Sequence, residues 1–215
     1  MSEKRLLTPI DRLINAVDHT LKTVSGQVKL AKRLSPAESL PDTDLGMSSQ
    51  KHVAGLMRVN HTGEVCAQAL YQGQAATAKL PGIQEQMRDA ALEEEDHLAW
   101  CEQRLNELDS HTSALNPLFY AGSFGIGAIA GLVGDQWSLG VVAENEKQVC
   151  AHLESHLKQL PEADQKTRAI LEQMSEDEAH HASQAIQAGA AALPKPVKIG
   201  MKLVSKIMTT TSYRI

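Results

Sequence analysis

Apolar side chains recur every three or four positions along most of the chain, the spacing of helices that bury one face. Leu13, Val17 and Leu21 follow this pattern and predict an N-terminal helix from about Pro9 to Arg33. A stretch rich in Ser, Pro and Asp at 35–50 predicts a linker. Nothing in the chain alternates apolar and polar residues between turn signals as strands do, so the sequence predicts an all-α fold.

Proline and glycine divide the rest of the chain into further helices. The pattern predicts helices from about Thr62 to Lys79 and from about Ile83 to Leu108. A very long helical pattern runs from Asn116 to Leu160, another from about Ala163 to Ala192, and a last basic one from Val197 to about Met208.

These breaks predict three parts in the chain. Residues 1–51 form an N-terminal helix and linker, residues 52–193 a helical bundle, and residues 194–215 a basic amphipathic C-terminal segment. A chain of 215 residues is long enough for one sizeable core.

The composition is that of an ordinary globular protein, with 42% hydrophobic and 22% charged residues. Only 3% of the residues are aromatic, which argues against the stacking surfaces of single-strand nucleic-acid binders. The three cysteines form no Cys-x-x-Cys pair, which favours a reducing compartment. The N-terminus has no apolar stretch of the kind that a signal peptide needs, so we expect an unprocessed protein on the cytoplasmic side.

The net charge of −5 is unevenly distributed. Residues 1–33 carry seven Lys/Arg and three Asp/Glu, residues 34–178 carry nine and 23, and residues 179–215 carry five and none. An acidic middle between basic ends indicates a cation-binding core and ends suited to an anionic surface. The same layout argues against nucleic-acid binding, which needs a basic patch on the folded domain.

The segment 118–143 is strongly apolar and contains six glycines. Its uncharged part is somewhat shorter than the roughly 20 residues that span a bilayer. Glycines are costly in an isolated helix, so they indicate close contact with a neighbouring backbone or with a lipid-like ligand. A tightly packed core helix and an interfacial or tail-binding surface both fit this pattern.

The C-terminal segment has an apolar side and a basic side. They consist of Val197, Met201, Val204 and Met208, and of Lys198, Lys202 and Lys206, respectively. The pattern is typical of a helix lying on an anionic membrane. The alternative is a surface helix packed on its own protein.

The pair Glu-x-x-His occurs twice, as Glu94 with His97 and as Glu178 with His181. Side chains at i and i+3 lie on one face of a helix, so each pair can reach one metal ion. The neighbours Glu93 and Asp177 could orient the histidines from behind or be surface acids.

A further glutamate precedes each pair on the preceding predicted helix, Glu64 by 30 residues and Glu146 by 32. This repeated plan is that of a di-iron or di-manganese carboxylate four-helix bundle. Four carboxylates balance two divalent cations, and oxygen-rich ligation favours iron or manganese over tetrahedral zinc. Solvated helix-face charges are the alternative, but Glu64 lies in a mostly uncharged helix, where a lone carboxylate needs a partner.

The residues resemble the demethoxyubiquinone hydroxylases of ubiquinone biosynthesis, a family with a ferritin-like di-iron fold. The resemblance covers the chain from about His52 onward. Its most specific part is Arg58-Val59-Asn60-His61-Thr62-Gly63-Glu64, and it includes Tyr71-Gln72-Gly73-Gln74, Glu94-Glu95-Asp96-His97-Leu98, the glycine-rich third helix with Glu146, and the pair Glu178 and His181.

The resemblance implies two iron ions per chain. Glu64, Glu94 and His97 would bind one ion and Glu146, Glu178 and His181 the other, with Glu94 and Glu178 as bridges. It implies no catalytic residues beyond these ligands and no organic cofactor. Where many relatives have His-Tyr on the third helix, this chain has His152-Leu153.

The expected activity is O2-dependent hydroxylation of a polyprenylated demethoxyubiquinol ring, late in ubiquinone biosynthesis. Expected partners are the quinol, O2, the cytoplasmic face of the cell membrane and other ubiquinone-biosynthesis proteins. Self-association also fits an apolar face, although no pattern fixes a stoichiometry. Two alternatives are a ferritin-like iron or peroxide oxidase without an organic substrate and a non-enzymatic membrane scaffold.

Overall fold

The computed structural model describes residues 32–215, in which there are six helices and no strand. The helices are α1 (Gly46–Thr77), α2 (Pro81–Glu107), α3 (Asn116–Val133), α4 (Asp135–Leu157), α5 (Gln165–Gln187) and α6 (Lys195–Ser212). The predicted N-terminal helix lies outside the described residues, apart from Lys32 and Arg33, which are not helical. The all-α prediction is confirmed.

Four of these helices form a bundle. Helix α1 packs on α2 and α4 packs on α5, while α2 meets α5 and α1 meets α4 across the interior. Helix α3 lies along α1, within the long connection from α2 to α4. Two helix pairs joined by one long crossover make the ferritin-like arrangement that the sequence predicts.

Two predicted helix boundaries are wrong. Helix α1 begins at Gly46 rather than near Thr62, because it packs against several helices and is apolar on most sides, which weakens the helical periodicity. The predicted single helix from Asn116 to Leu160 is two helices, α3 and α4. The chain breaks at Gly134, whose φ of +148° is disfavoured for any residue with a side chain.

Two apolar clusters fill the bundle, one toward each end. The first contains Met57, Trp100, Leu105, Leu153 and Leu171, and the second contains Tyr71, Met87, Leu139, Val142 and Ala185. On each of the four bundle helices, the predicted metal ligands fall between these clusters in the sequence. The apolar core therefore encloses a polar layer near the middle of the bundle.

Helix α6 packs back on the bundle, as in the second of the two alternatives that the sequence left for its apolar side. The cavity between α1, α3 and α4 is also lined by Val197, Met201, Val204 and Met208 of this side. Val197 and Val204 nevertheless remain 37% and 51% exposed. A second apolar row points outward, with Ile199, Leu203 and Ile207 exposed by 66%, 61% and 55%. An amphipathic pattern predicts that a face is buried, but it does not say against what.

Helix α3 has two different faces. Within residues 32–215 it alone is long and apolar enough to cross a membrane by length and composition, which is weak support because core helices pass the same test. Its glycine face contacts α1, where Gly127 meets the backbone of Leu70 and Gly73 meets that of Phe124. Its other face exposes Leu118, Ile126, Ile129, Leu132 and Val133. The close contact with a neighbouring backbone that the glycines predict is therefore confirmed. An interfacial or tail-binding role for the exposed face stays a prediction.

The contact between α1 and α3 predicts opposite effects for two glycines on α3. A Cβ at Gly127 would collide with the Leu70 backbone, whereas a Cβ at Gly125 meets no atom within 4 Å. We expect Gly127→Ala to destabilise the fold by about 2 kcal/mol through overpacking. Gly125→Ala should stabilise it by roughly 0.5–1 kcal/mol because alanine loses less backbone entropy. Urea unfolding measures both variants, and equal stabilities would contradict the close approach.

Candidate metal centre

All six predicted ligands lie in the polar layer of the bundle, and each is at most 4% exposed. Helix α1 provides Glu64, α2 provides Glu94 and His97, α4 provides Glu146, and α5 provides Glu178 and His181. Ligand atoms of Glu64, Glu94, His97 and Glu178 lie within 4.8 Å of one another.

The two histidines direct the same ring nitrogen at the carboxylates. His97 Nδ1 lies 3.1 Å from Glu94 Oε2, 3.2 Å from Glu178 Oε1 and 3.4 Å from Glu64 Oε2. His181 Nδ1 lies 3.4 Å from both Glu94 Oε1 and Glu178 Oε2. Glu94 and Glu178 therefore each direct one oxygen toward each histidine, the geometry expected of bridging carboxylates.

Glu146 completes the cluster from α4, beside Glu178. The Tyr71 hydroxyl donates a hydrogen bond of 2.6 Å to Glu146 Oε1. The sequence analysis assigned no role to Tyr71, although a signal was available. Tyr71 follows Glu64 by seven residues on α1, which places both side chains on the same face.

The outer ring nitrogens of the histidines contact acids from the opposite helix. His97 Nε2, on α2, lies 2.9 Å from Asp177 Oδ2 on α5, and His181 Nε2, on α5, lies 2.6 Å from Glu93 Oε2 on α2. These are the two residues whose orienting role the sequence left open. Acids in this position fix the ring orientation, so that Nδ1 faces inward as a ligand atom.

Burial and the charges of neighbouring groups shift the pKa of every side chain in the cluster. Burial raises the pKa of Glu64 and Glu146 well above the usual carboxyl range. Burial acts in the same direction on Glu94 and Glu178, but hydrogen bonds from the histidines outweigh it and lower the pKa of both. Burial lowers the pKa of a histidine, yet the carboxylates outweigh it and raise that of His181 to about 12.

The donor set fits two divalent metal ions. Among the described residues, Glu94 Oε1 and Glu178 Oε1 are buried and accept no well-aligned hydrogen bond. Each lies 3.2–3.4 Å from a histidine Nδ1, as oxygen and nitrogen ligands of one metal ion do. The carboxylates raise the pKa of both histidines, so metal ions and protons would compete for the same nitrogen atoms. Carboxylate oxygen with one imidazole per ion suits iron or manganese.

Three other histidines lie away from the ligand positions. His180 is exposed, and its Nε2 lies 2.8 Å from Gln184 Nε2 rather than near the cluster. His152 lines the cavity, and its ring lies tilted by 58° against that of His156, with centroids 3.9 Å apart. His61 lies in the middle of α1 rather than at a helix cap, with its Nδ1 3.3 Å from Asn116 Nδ2.

His61 should make the protein sensitive to acid. Burial lowers its pKa from the ordinary 6.5 to about 4, so below pH 6.5 the unfolded chain takes up a proton that the folded chain does not. Stability is lost as the pH falls, by about 2 kcal/mol at pH 5 from this group. Urea unfolding of the metal-free chain at pH 7 and pH 5 should show that His61→Gln reduces this loss. An unchanged pH dependence in the variant would contradict the assignment.

A largely apolar cavity of about 320 Å³ connects the cluster with the outer helices. It lies between α1, α3, α4 and α6, and its lining includes Glu64 at the cluster and Leu118, Ile126, Val141, Met201 and Val204 toward the outside. An elongated apolar ligand could therefore place one end at the cluster.

Comparisons with known proteins point to the same chemistry. The sequence model of the family described as "Ubiquinone biosynthesis protein COQ7" matches residues 51–212. Proteins named 3-demethoxyubiquinol 3-hydroxylase from Ectopseudomonas mendocina and Stutzerimonas stutzeri are 58% and 59% identical, each over 100% of both chains. One of the same name from Acinetobacter baumannii is 57% identical over 97% of this chain and 99% of its own.

Proposed function

This chain belongs to the ubiquinone biosynthesis protein COQ7 family, and on that premise we propose that it is a 3-demethoxyubiquinol 3-hydroxylase that uses two iron ions. The observation that carries the proposal is the buried cluster itself, in which Glu94 and Glu178 each reach both histidines. Membership of the family indicates the reaction, and the cluster offers a binding site for a pair of redox metal ions.

Glu64, Glu94 and His97 would hold one ion and Glu146, Glu178 and His181 the other. Bound iron supplies the redox chemistry with O2 that no amino-acid side chain provides. The chain's own residues fix the ligand geometry through Asp177, Glu93 and Tyr71. The flanking apolar clusters exclude water, which strengthens the electrostatic interactions inside the site.

The cavity would hold the quinol. Its inner end includes Glu64 and polar side chains such as Asn60 and Asn145, which suit a ring with hydroxyl groups. Its outer part, between α3 and α6, is apolar and suits a prenyl tail. A ring at the inner end would lie beside the cluster, while the tail would extend toward the surface.

The outer surface supports a location on the cytoplasmic face of the cell membrane. Helix α3 exposes Ile129 and Leu132, and α6 exposes Ile199, Leu203 and Ile207. Lys195, Lys198, Lys202 and Lys206 also lie on α6. Apolar contact together with lysines is the combination that binds anionic lipid surfaces. Co-sedimentation with vesicles containing anionic phospholipid tests this location, and no binding at low salt would contradict it.

Turnover of the iron-loaded chain tests the function. With 3-demethoxyubiquinol, a reductant and air we expect a product 16 mass units heavier, and none without O2, because monooxygenation adds one oxygen atom to the ring and reduces the other to water with two electrons from the reductant. Iron oxidation without any quinol product would favour a ferritin-like oxidase. No bound iron and no product would favour a membrane scaffold.

A further inference from the structure

Arg33 lies close to the cluster of predicted metal ligands, although it precedes residues 51–212, the part of this chain that the family model matches. Its Nε lies 2.9 Å from Asp96 Oδ2 and its Nη2 lies 2.8 Å from Asp177 Oδ2. The guanidinium carbon also lies 4.8 Å from the centre of the Trp100 ring. One side chain thus joins α2 to α5 behind the cluster.

Backbone contacts fix the position of Arg33. The amide of Lys32 donates a hydrogen bond of 2.6 Å to Asp96 Oδ1, and Trp100 Nε1 donates one of 3.3 Å to the carbonyl of Arg33. The guanidinium therefore starts from a fixed point and presents two donors to two carboxylates. The planar guanidinium group of arginine can bond to both carboxylates in this arrangement, whereas the compact ammonium group of lysine is not suited to it.

Asp177 connects Arg33 to the cluster. The oxygen that accepts from Arg33, Asp177 Oδ2, also lies 2.9 Å from His97 Nε2. Arg33 Nη2 itself lies 3.5 Å from His97 Nε2. When His97 Nδ1 faces the cluster as a ligand atom, Nε2 carries the proton and is a donor like Nη2, so Arg33 orients His97 through the carboxylate between them. Glu93, the equivalent acid behind His181, has a side chain that is 58% exposed, and within residues 32–215 no lysine or arginine pairs with it.

We propose that Arg33 is a positioning residue for the metal centre, which acts through Asp177 to hold the imidazole of His97. The inference rests on the proposed metal site and adds to it a contribution from the N-terminal segment. The His97 and His181 positions have matching ligand sets, and the inference gives them different surroundings.

A double-mutant cycle in Co(II) binding tests this role, because Co(II) reports ligand geometry in its visible absorption. The metal-free full-length chain is titrated as wild type, Arg33→Gln, Asp177→Asn and the double variant. We expect Arg33→Gln to weaken the tighter Co(II) site about tenfold and to shift its absorption band, as changes to outer partners do. Loss of a positive charge would by itself tighten cation binding, so weaker binding reports geometry.

The cycle separates action through Asp177 from a general loosening of the fold. In the Asp177→Asn background we expect Arg33→Gln to change Co(II) affinity less than about twofold, since the two residues act as a unit. Asp42→Asn is the matched control. Asp42 lies on the same N-terminal segment as Arg33, and its substitution removes the contact with Lys166 of α5 while Arg33 stays in place. Its Co(II) affinity and spectrum should equal those of wild type.

Two results would overturn the inference while leaving the proposed function intact. One is a Co(II) affinity and spectrum in Arg33→Gln that equal those of wild type. The other is an equal loss of Co(II) affinity from Arg33→Gln in the wild-type and Asp177→Asn backgrounds. A wild-type chain that binds no Co(II) in the bundle would overturn both proposals together.

Discussion

Glu178→Ala should remove iron and hydroxylase activity together. Glu178 lies 3.2 Å from His97 Nδ1 and 3.4 Å from His181 Nδ1, so its loss takes one ligand atom from each metal position. Iron per chain should fall from about two to well below one. Activity should fall more than about 100-fold, beyond the loss typical of an outer partner. Metal analysis and turnover of chains loaded with Fe(II) under the same conditions measure both effects.

Glu176→Ala is the matched control for this variant. Glu176 lies two residues earlier on α5 and is exposed, so its removal takes away one carboxylate without touching the cluster. The control should keep its iron and activity, and circular dichroism should show the same helix content in both variants. A Glu178→Ala chain that retains two irons and full activity would refute the ligand assignment.

Gly122→Phe should block turnover of a long-tailed quinol without removing iron. Gly122 lies among the cavity-lining residues of α3, between Phe119 and Ile126, and a Cβ there meets no atom within 4 Å. A phenyl group can therefore enter the space proposed for the prenyl tail. Excluding three or four methylene groups, at about 0.8 kcal/mol each, lowers kcat/KM about 100-fold.

A neighbouring glycine and a shorter substrate provide the controls. Gly125 also has room for a side chain but does not line the cavity, so Gly125→Phe should leave kcat/KM near that of wild type. A demethoxyubiquinol analogue without the long tail should be much less affected by Gly122→Phe, because it does not need the outer cavity. Equal losses for both quinols would place the tail elsewhere.

The clustering of the six predicted ligands could be foreseen from the sequence because their spacing follows from helix geometry. Glu94 and His97 share a helix face because they are at i and i+3. Glu64 precedes Glu94 by 30 residues, which places it beside them across an antiparallel helix pair. The contact of Glu94 with both histidines is visible only in the structure, since it depends on how α2 and α5 meet.

Other features could not be predicted, because they depend on contacts between distant parts of the chain. The start of α1 carries little periodicity, since that helix contacts several others. The cavity that the apolar stripe of α6 lines depends on how this helix packs beside α1, α3 and α4. Arg33 meets Asp177 across 144 residues, and no local pattern in the sequence indicates that pairing.

The origin of the oxygen atom in the product tests the central claim most directly. The iron-loaded wild-type chain is supplied with 3-demethoxyubiquinol and a reductant under 18O2, and the product is examined by mass spectrometry. The account predicts one 18O atom in the new ring hydroxyl, since a monooxygenase transfers one atom of O2 to its substrate and releases the other as water. Product carrying oxygen from water, or no hydroxylated product from a chain with two irons, would contradict it.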